Sequence, residues 1–109
     1  WRPPAIVGGL TYFWNVIEIS DNLVWIDCEM TGLNVELDCL VEIAVVITNS
    51  ELEILDEGLN LVIKPRPESW ANMNDFVRNM HTESGLINDV ENGLELADAE
   101  QLILDYVKQ

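Results

Sequence analysis

Asp27 and Glu29 are the residues whose type and spacing point most directly to chemistry in this 109-residue chain. They stand two apart, just after the apolar run from Asn22 to Ile26. In an extended strand, residues i and i+2 project from one face, roughly 7 Å apart at Cα. Two carboxylates so placed repel each other, and half-burying them is costly unless a cation sits between them. Mg²⁺ or Mn²⁺ suits the role, because hard divalent cations prefer oxygen ligands. By itself, an Asp-x-Glu pair is more simply two solvated acids at a strand end. Cys28 and Cys39, the only cysteines, each lie in or beside an apolar run. Two cysteines make no disulfide framework for a chain of this size, so both read as small buried hydrophobes in a reducing compartment.

The elements that must position the acids follow from apolar periodicity. Asn22 to Ile26 is short and partly β-branched, which predicts a buried strand ended by Thr31-Gly32. Leu40 to Thr48, rich in valine and isoleucine, predicts a second strand with Glu42 as its one charge. Asn49-Ser50 marks a turn, and Glu51 to Lys64 alternates well enough for a third strand, bent at Gly58. Pro65-Arg66-Pro67 closes the sheet region. Trp70, Met73, Val77 and Met80 then recur at helical spacing until Ser84-Gly85. A second helix is expected from Asn92, capped by Asn92 with Glu95. Its apolar face carries Leu96, Ala99, Ile103 and Tyr106, broadened by Leu102 and Val107. Strands first and helices after predict an α+β fold, a three-stranded antiparallel meander with two helices. One sheet edge is left open. Residues 1–21 read as an appendage outside this fold, and 22–109 as the domain. The opening stretch has one positive charge and no clear small-residue cleavage site, so it is not read as a signal peptide.

The charge balance is −15. Such a chain repels nucleic acid at long range and lacks the basic face of a duplex binder. Carboxylates that hold cations are counted as bare charge in that sum, so a nuclease is not excluded. No apolar run approaches the ~20 residues of a membrane-spanning helix.

The segment Asp27-Cys28-Glu29-Met30-Thr31-Gly32-Leu33 after an apolar strand resembles the first motif of the DEDDh exonuclease family. Met30 matches its oligoribonuclease branch, where the DNA-proofreading branch typically has a second threonine. The resemblance continues through Val41-Glu42-Ile43-Ala44, Leu52 to Gly58, Met80-His81-Thr82-Glu83-Ser84-Gly85-Leu86, Leu96 to Glu100, and Tyr106-Val107. It implies a ribonuclease H-like fold, truncated here. It implies 3′-to-5′ hydrolysis of short single-stranded RNA by a two-metal mechanism, with Mg²⁺ or Mn²⁺ as cofactor, in a cytoplasmic homodimer without membrane association. Asp27 and Glu29 match the first two metal ligands. Leu33 matches an apolar wedge against the terminal bases, Phe76 an aromatic that stacks on a base, and Met30 and Thr31 the lining of the terminal sugar. Phe76 reads equally as a helix core aromatic. His81 lies outside the motif that carries the family's general base, which favours a structural or substrate-edge role. The family's later acids and its final histidine motif have no counterpart here. The resemblance therefore implies the N-terminal half of such an enzyme, inactive alone. A DNA-proofreading type exonuclease and a non-catalytic interaction fragment are the alternatives.

Overall fold

The computed structural model describes residues 21–109 and the backbone of two short strands before them. Those two, β1 (Ala5–Val7) and β2 (Leu10–Tyr12), pair antiparallel as a hairpin of their own. The rest of the expected 1–21 appendage lies outside the described residues.

The main sheet has the order β3-β4-β5, with β3 spanning Leu23–Met30, β4 Leu40–Thr48 and β5 Leu59–Val62, all antiparallel. The expected meander is therefore present. Its first strand is longer than the apolar run suggests, and Asp27 and Glu29 lie inside it. The register of β3 on β4 slips between Glu29 and Met30: Glu29 faces Glu42, whereas Met30 faces Leu40. Val41 is the extra residue, and such a bulge bends a strand where it must re-aim side chains.

The third strand is shorter than alternation predicts. The Asn49 side-chain oxygen accepts the N–H groups of Glu51 and Glu53, both at 3.0 Å. That Asx-type turn, with Leu52 at φ 66°, uses up the start of the segment. Only an isolated bridge, Thr48 to Ile54, pairs there before β5 begins. Gly58 is required at the bend: its φ is 75°, and a Cβ would fall 2.8 Å from the Val45 carbonyl oxygen.

The core sits over β4 and β5, not β3. Val41, Leu86 and Val90 are buried together, with Val62 and Trp70 packed against them. Ala99 and Ile63 are also buried. The expected burial of the first strand is overturned: Leu23, Val24, Trp25 and Ile26 are 41–56% exposed. The reason is topological, since β3 is the sheet edge among the described strands and its consecutive side chains point to opposite faces.

The helical region contains three helices rather than two: α1 (Pro67–Ala71), α2 (Asp75–Ser84) and α3 (Leu96–Val107). Pro67 starts α1, where a missing N–H costs nothing. The stripe from Trp70 to Met80 is broken at Asn74, whose side chain accepts the Val77 N–H at 2.9 Å and caps α2. Gly85, at φ 82°, ends α2 as the sequence predicts. The cap expected at Asn92 does not form. Asn92 instead closes a short 3₁₀ turn, Val90–Asn92, and Glu95 precedes α3 without a side-chain cap bond. A parallel bridge from Ile63 to Leu94 holds that stretch to the sheet, which displaces the helix start. On α3, Ala99 is buried and Ile103 and Tyr106 are half-buried, while Leu96 and Leu102 are exposed.

Tyr106 ties α3 to the loop before β5. Its hydroxyl donates a short hydrogen bond to Asp56 Oδ1, which also accepts the Gly58 N–H at 2.8 Å. These bonds, the tyrosine first, hold the Asp56 carboxyl below its ordinary range. A depressed carboxyl pKa contributes stability that is present above the unfolded value and lost as pH falls through the folded one. Tyr106→Phe should therefore lower stability at neutral pH, and the gap from the unmodified chain should close below about pH 4. Chemical denaturation between pH 7 and 2 measures this. A gap that does not change with pH would show that the bond carries none of the linkage.

Candidate active site

The site lies where β3 ends. Alternation puts Asp27 and Glu29 on one face of β3 and Cys28 on the other. Burial first, then the negative charges of Asp27 and Glu29, push the Cys28 thiol above its ordinary pKa. That holds Cys28 as a thiol and makes it a poor nucleophile. Among the described residues, neither carboxylate is hydrogen-bonded or ion-paired to a protein group. Glu29 also faces Glu42 across the ladder, and Asn60 Nδ2 approaches Glu42 Oε2 at 3.5 Å.

Hard, unpartnered oxygens on one strand face suit a divalent cation. They are a partial donor set, since no group of three or more His, Cys, Asp or Glu among the described residues is placed to hold a metal.

A cleft of about 390 Å³ opens beside Glu29. It is lined by Glu29 and Met30 of β3, by Gly32 and Leu33 of the loop that follows, by Phe76, Val77 and Met80 of α2, and by Asn74, which caps that helix. Leu33 is 89% exposed and Phe76 78% exposed. That exposure overturns the core-aromatic reading of Phe76. Of the six residues singled out from sequence, the structure brings Glu29, Met30, Leu33 and Phe76 together in the cleft. Asp27 stands two residues up the strand. Thr31 is set behind the cleft at 1% exposure. Its hydroxyl donates to Asp38 Oδ1 at 2.8 Å and accepts the Cys39 N–H at 3.1 Å, while its own N–H reaches the Cys39 carbonyl at 3.0 Å. The Thr31 side chain is therefore committed to the loop and does not line the cleft.

The α2 wall is fixed by His81. It is 1% exposed, and its Nε2–H donates to the Met30 carbonyl oxygen at 2.8 Å. This is the structural role expected for it. Asn74, Val77 and Met80 were not singled out from sequence as cleft residues. The signal was available in the i, i+4 spacing of Phe76 and Met80, which places both on one helix face.

The sequence model of the family described as exonuclease matches residues 24–109. This chain belongs to the exonuclease family. Its sheet-and-helix arrangement agrees with the ribonuclease H-like domain expected of that family. The relatives it resembles include proteins named oligoribonuclease. One from Leifsonia xyli subsp. xyli is 61% identical over 88 residues, covering 81% of this chain and 42% of its own length. Those from Cutibacterium acnes and Streptomyces coelicolor are 50% and 48% identical, covering 79% and 84% of this chain and 43% and 46% of their own lengths. The chain thus spans less than half the length of these curated relatives. No helix among the described residues is long and apolar enough to cross a membrane.

The cleft of this member of the exonuclease family depends on the His81 bond, so its loss should be felt in stability. His81→Ala leaves the Met30 carbonyl without its partner and opens a cavity, and should cost about 3 kcal/mol. Urea denaturation checks this. A loss below about 1 kcal/mol would show that α2 is held to β3 by other contacts.

Proposed function

We propose that this chain is the N-terminal half of a 3′-to-5′ exoribonuclease that degrades short oligoribonucleotides to mononucleotides by two-metal phosphodiester hydrolysis. The observation that carries this reading is two carboxylates, Asp27 and Glu29, without a partner among the described residues, beside a cleft lined by the exposed apolar groups Leu33 and Phe76. In this reading residues 22–109 form the domain half and 1–21 an appendage. The relatives are more than twice as long as the matched segment, and the exposed apolar β3 is a surface that further strands of a longer protein would cover.

Asp27 and Glu29 would hold Mg²⁺ or Mn²⁺, with the remaining ligands coming from the other half. Bound divalent cations of such a site supply a nucleophilic water near neutral pH and offset charge on the leaving 3′ oxygen. This chain's own residues hold the end of the substrate. Phe76 offers a ring face for a base, Leu33 lines the same cleft, and Met30 lines it near the terminal sugar. Thr31 contributes by fixing the loop backbone. A short single-stranded RNA fits a cleft of this size. A long polynucleotide would meet the repulsion of a chain with net charge −15. We infer from the family resemblance that the full-length protein is a cytoplasmic homodimer.

Four measurements test the reading. In the full-length protein, Asp27→Asn and Glu29→Gln should each lower Mn²⁺-dependent hydrolysis of a ribodinucleotide by at least about a thousandfold, because each removes a charged metal ligand. Turnover within tenfold of the unmodified protein in both would sink the site assignment. Equal turnover of the matching deoxyribodinucleotide would favour a DNA exonuclease instead. Phe76→Ala should raise KM about tenfold with little change in kcat, as expected for uniform binding by stacking. Residues 22–109 alone should show no turnover, and metal-dependent hydrolysis by that segment would mean that the site is complete within it.

A further inference from the structure

Leu33 poses a problem of position. A side chain 89% exposed has almost no packing of its own to orient it. Whatever places Leu33 in the cleft that Phe76 also lines must act through the backbone of residues 32–34. We propose that Asp38 is the positioning residue for this wall of the cleft, an inference that rests on the exonuclease reading above.

The Asp38 carboxylate grips the chain on both sides of Leu33. Oδ1 accepts the Thr31 hydroxyl at 2.8 Å, and Oδ2 accepts the Asn34 N–H at 3.0 Å. Between these two bonds it lies flat against Gly32. A Cβ on Gly32 would fall 2.5 Å from Oδ2 and 2.7 Å from Cγ. Gly32 is therefore a glycine because the carboxylate occupies the place of its side chain, not because of its backbone angles, which are ordinary. Asp38 is itself held from two directions. Its N–H donates to the Asn34 carbonyl at 2.8 Å, and its own carbonyl accepts Arg66 Nη2 at 3.1 Å. Arg66 in turn donates through Nε to Ser69, which is fully buried and bonded to the Leu37 carbonyl at 2.7 Å. The Asp38 carboxylate thus clasps the loop that presents Leu33, while the backbone carbonyls of Leu37 and Asp38 tie that clasp to Ser69 of α1 and to Arg66 before it.

The test uses the full-length protein and a ribodinucleotide with Mn²⁺. Asp38→Ala should raise KM about tenfold with kcat within about twofold, because misplacing Leu33 removes uniform binding. Gly32→Ala should do the same by pushing the carboxylate off its partners. In the double variant the methyl meets no carboxylate, so the two effects should not add. Asp38→Asn keeps one of the two accepted bonds and should fall between. Amide exchange of Asn34 is read in the same samples and should speed up in Asp38→Ala whatever the substrate. An unchanged KM in a folded Asp38→Ala protein, strictly additive effects, or Asn34 exchange that stays slow would each overturn the proposal. If the unmodified protein hydrolyses no ribodinucleotide, the exonuclease reading fails, and dinucleotide binding by the same variants, with the Asn34 exchange, decides the positioning role.

Discussion

The hydrogen bond from His81 to the Met30 carbonyl joins two elements that have little else to align them. β3 is a sheet edge with its apolar side chains exposed, and α2 presents exposed Phe76 and half-exposed Met80. The imidazole is buried, and the carbonyl it meets is the last of the strand that carries Asp27 and Glu29. A donor in a dry position gains more than a surface bond, because neither partner can turn to water instead. The bond therefore fixes the distance from the two acids to the ring of Phe76. It also commits the Nε2 of the single histidine to a backbone carbonyl, and the ring is not among the residues that line the cleft.

Electrostatics pull the other way. The register sets Glu29 against Glu42, and alternation sets Asp27 beside Glu29, so three carboxylates share one sheet face. Like charges in such positions destabilise a sheet by a few tenths of a kcal/mol to about 1 kcal/mol each. Asn60 gives Glu42 partial relief, and no arginine or lysine among the described residues pairs with Asp27 or Glu29. A sequence selected for stability alone would place a cation there or remove a charge. Local conflict of this kind is common at functional sites, and the cation proposed above would make the arrangement favourable.

Much of this was legible in the residues. β-branched runs gave the sheet, and helical spacing gave the helical region up to Gly85. The misses have local causes. The side chains of Asn49 and Asn74 each bond nearby backbone rather than let a strand or helix continue, and each shortened or split an element that apolar periodicity alone would extend. Burial of Asn22 to Ile26 was misjudged because composition reports what a strand is suited to, whereas exposure depends on which strands stand beside it. Within the site, the acids and Phe76 could be named from their motif. Thr31 could not be told from a cleft residue, because its hydroxyl bonds Asp38, seven residues on, across a loop that no periodicity describes.

The exposed cleft and the charge balance together constrain how a substrate could be held. Affinity by counterion release needs a row of cations along the backbone, and this chain has five lysines and arginines against twenty acids. Two of those cations are already committed: Arg66 to the Asp38 carbonyl and Ser69, and Arg78 to the Trp70 carbonyl, with its guanidinium over the Trp70 ring. Binding in the cleft must then come from contacts that do not grow with polymer length: a base against Phe76, apolar contact with Leu33, and cations shared with Asp27 and Glu29. Each such contact is made once per chain end. A ligand of two or three nucleotides would satisfy them all, while every further phosphate would add repulsion without adding a partner. On these physical terms the proposed preference for short substrates would follow from where the charges of this chain are, whichever groups completed the proposed metal site.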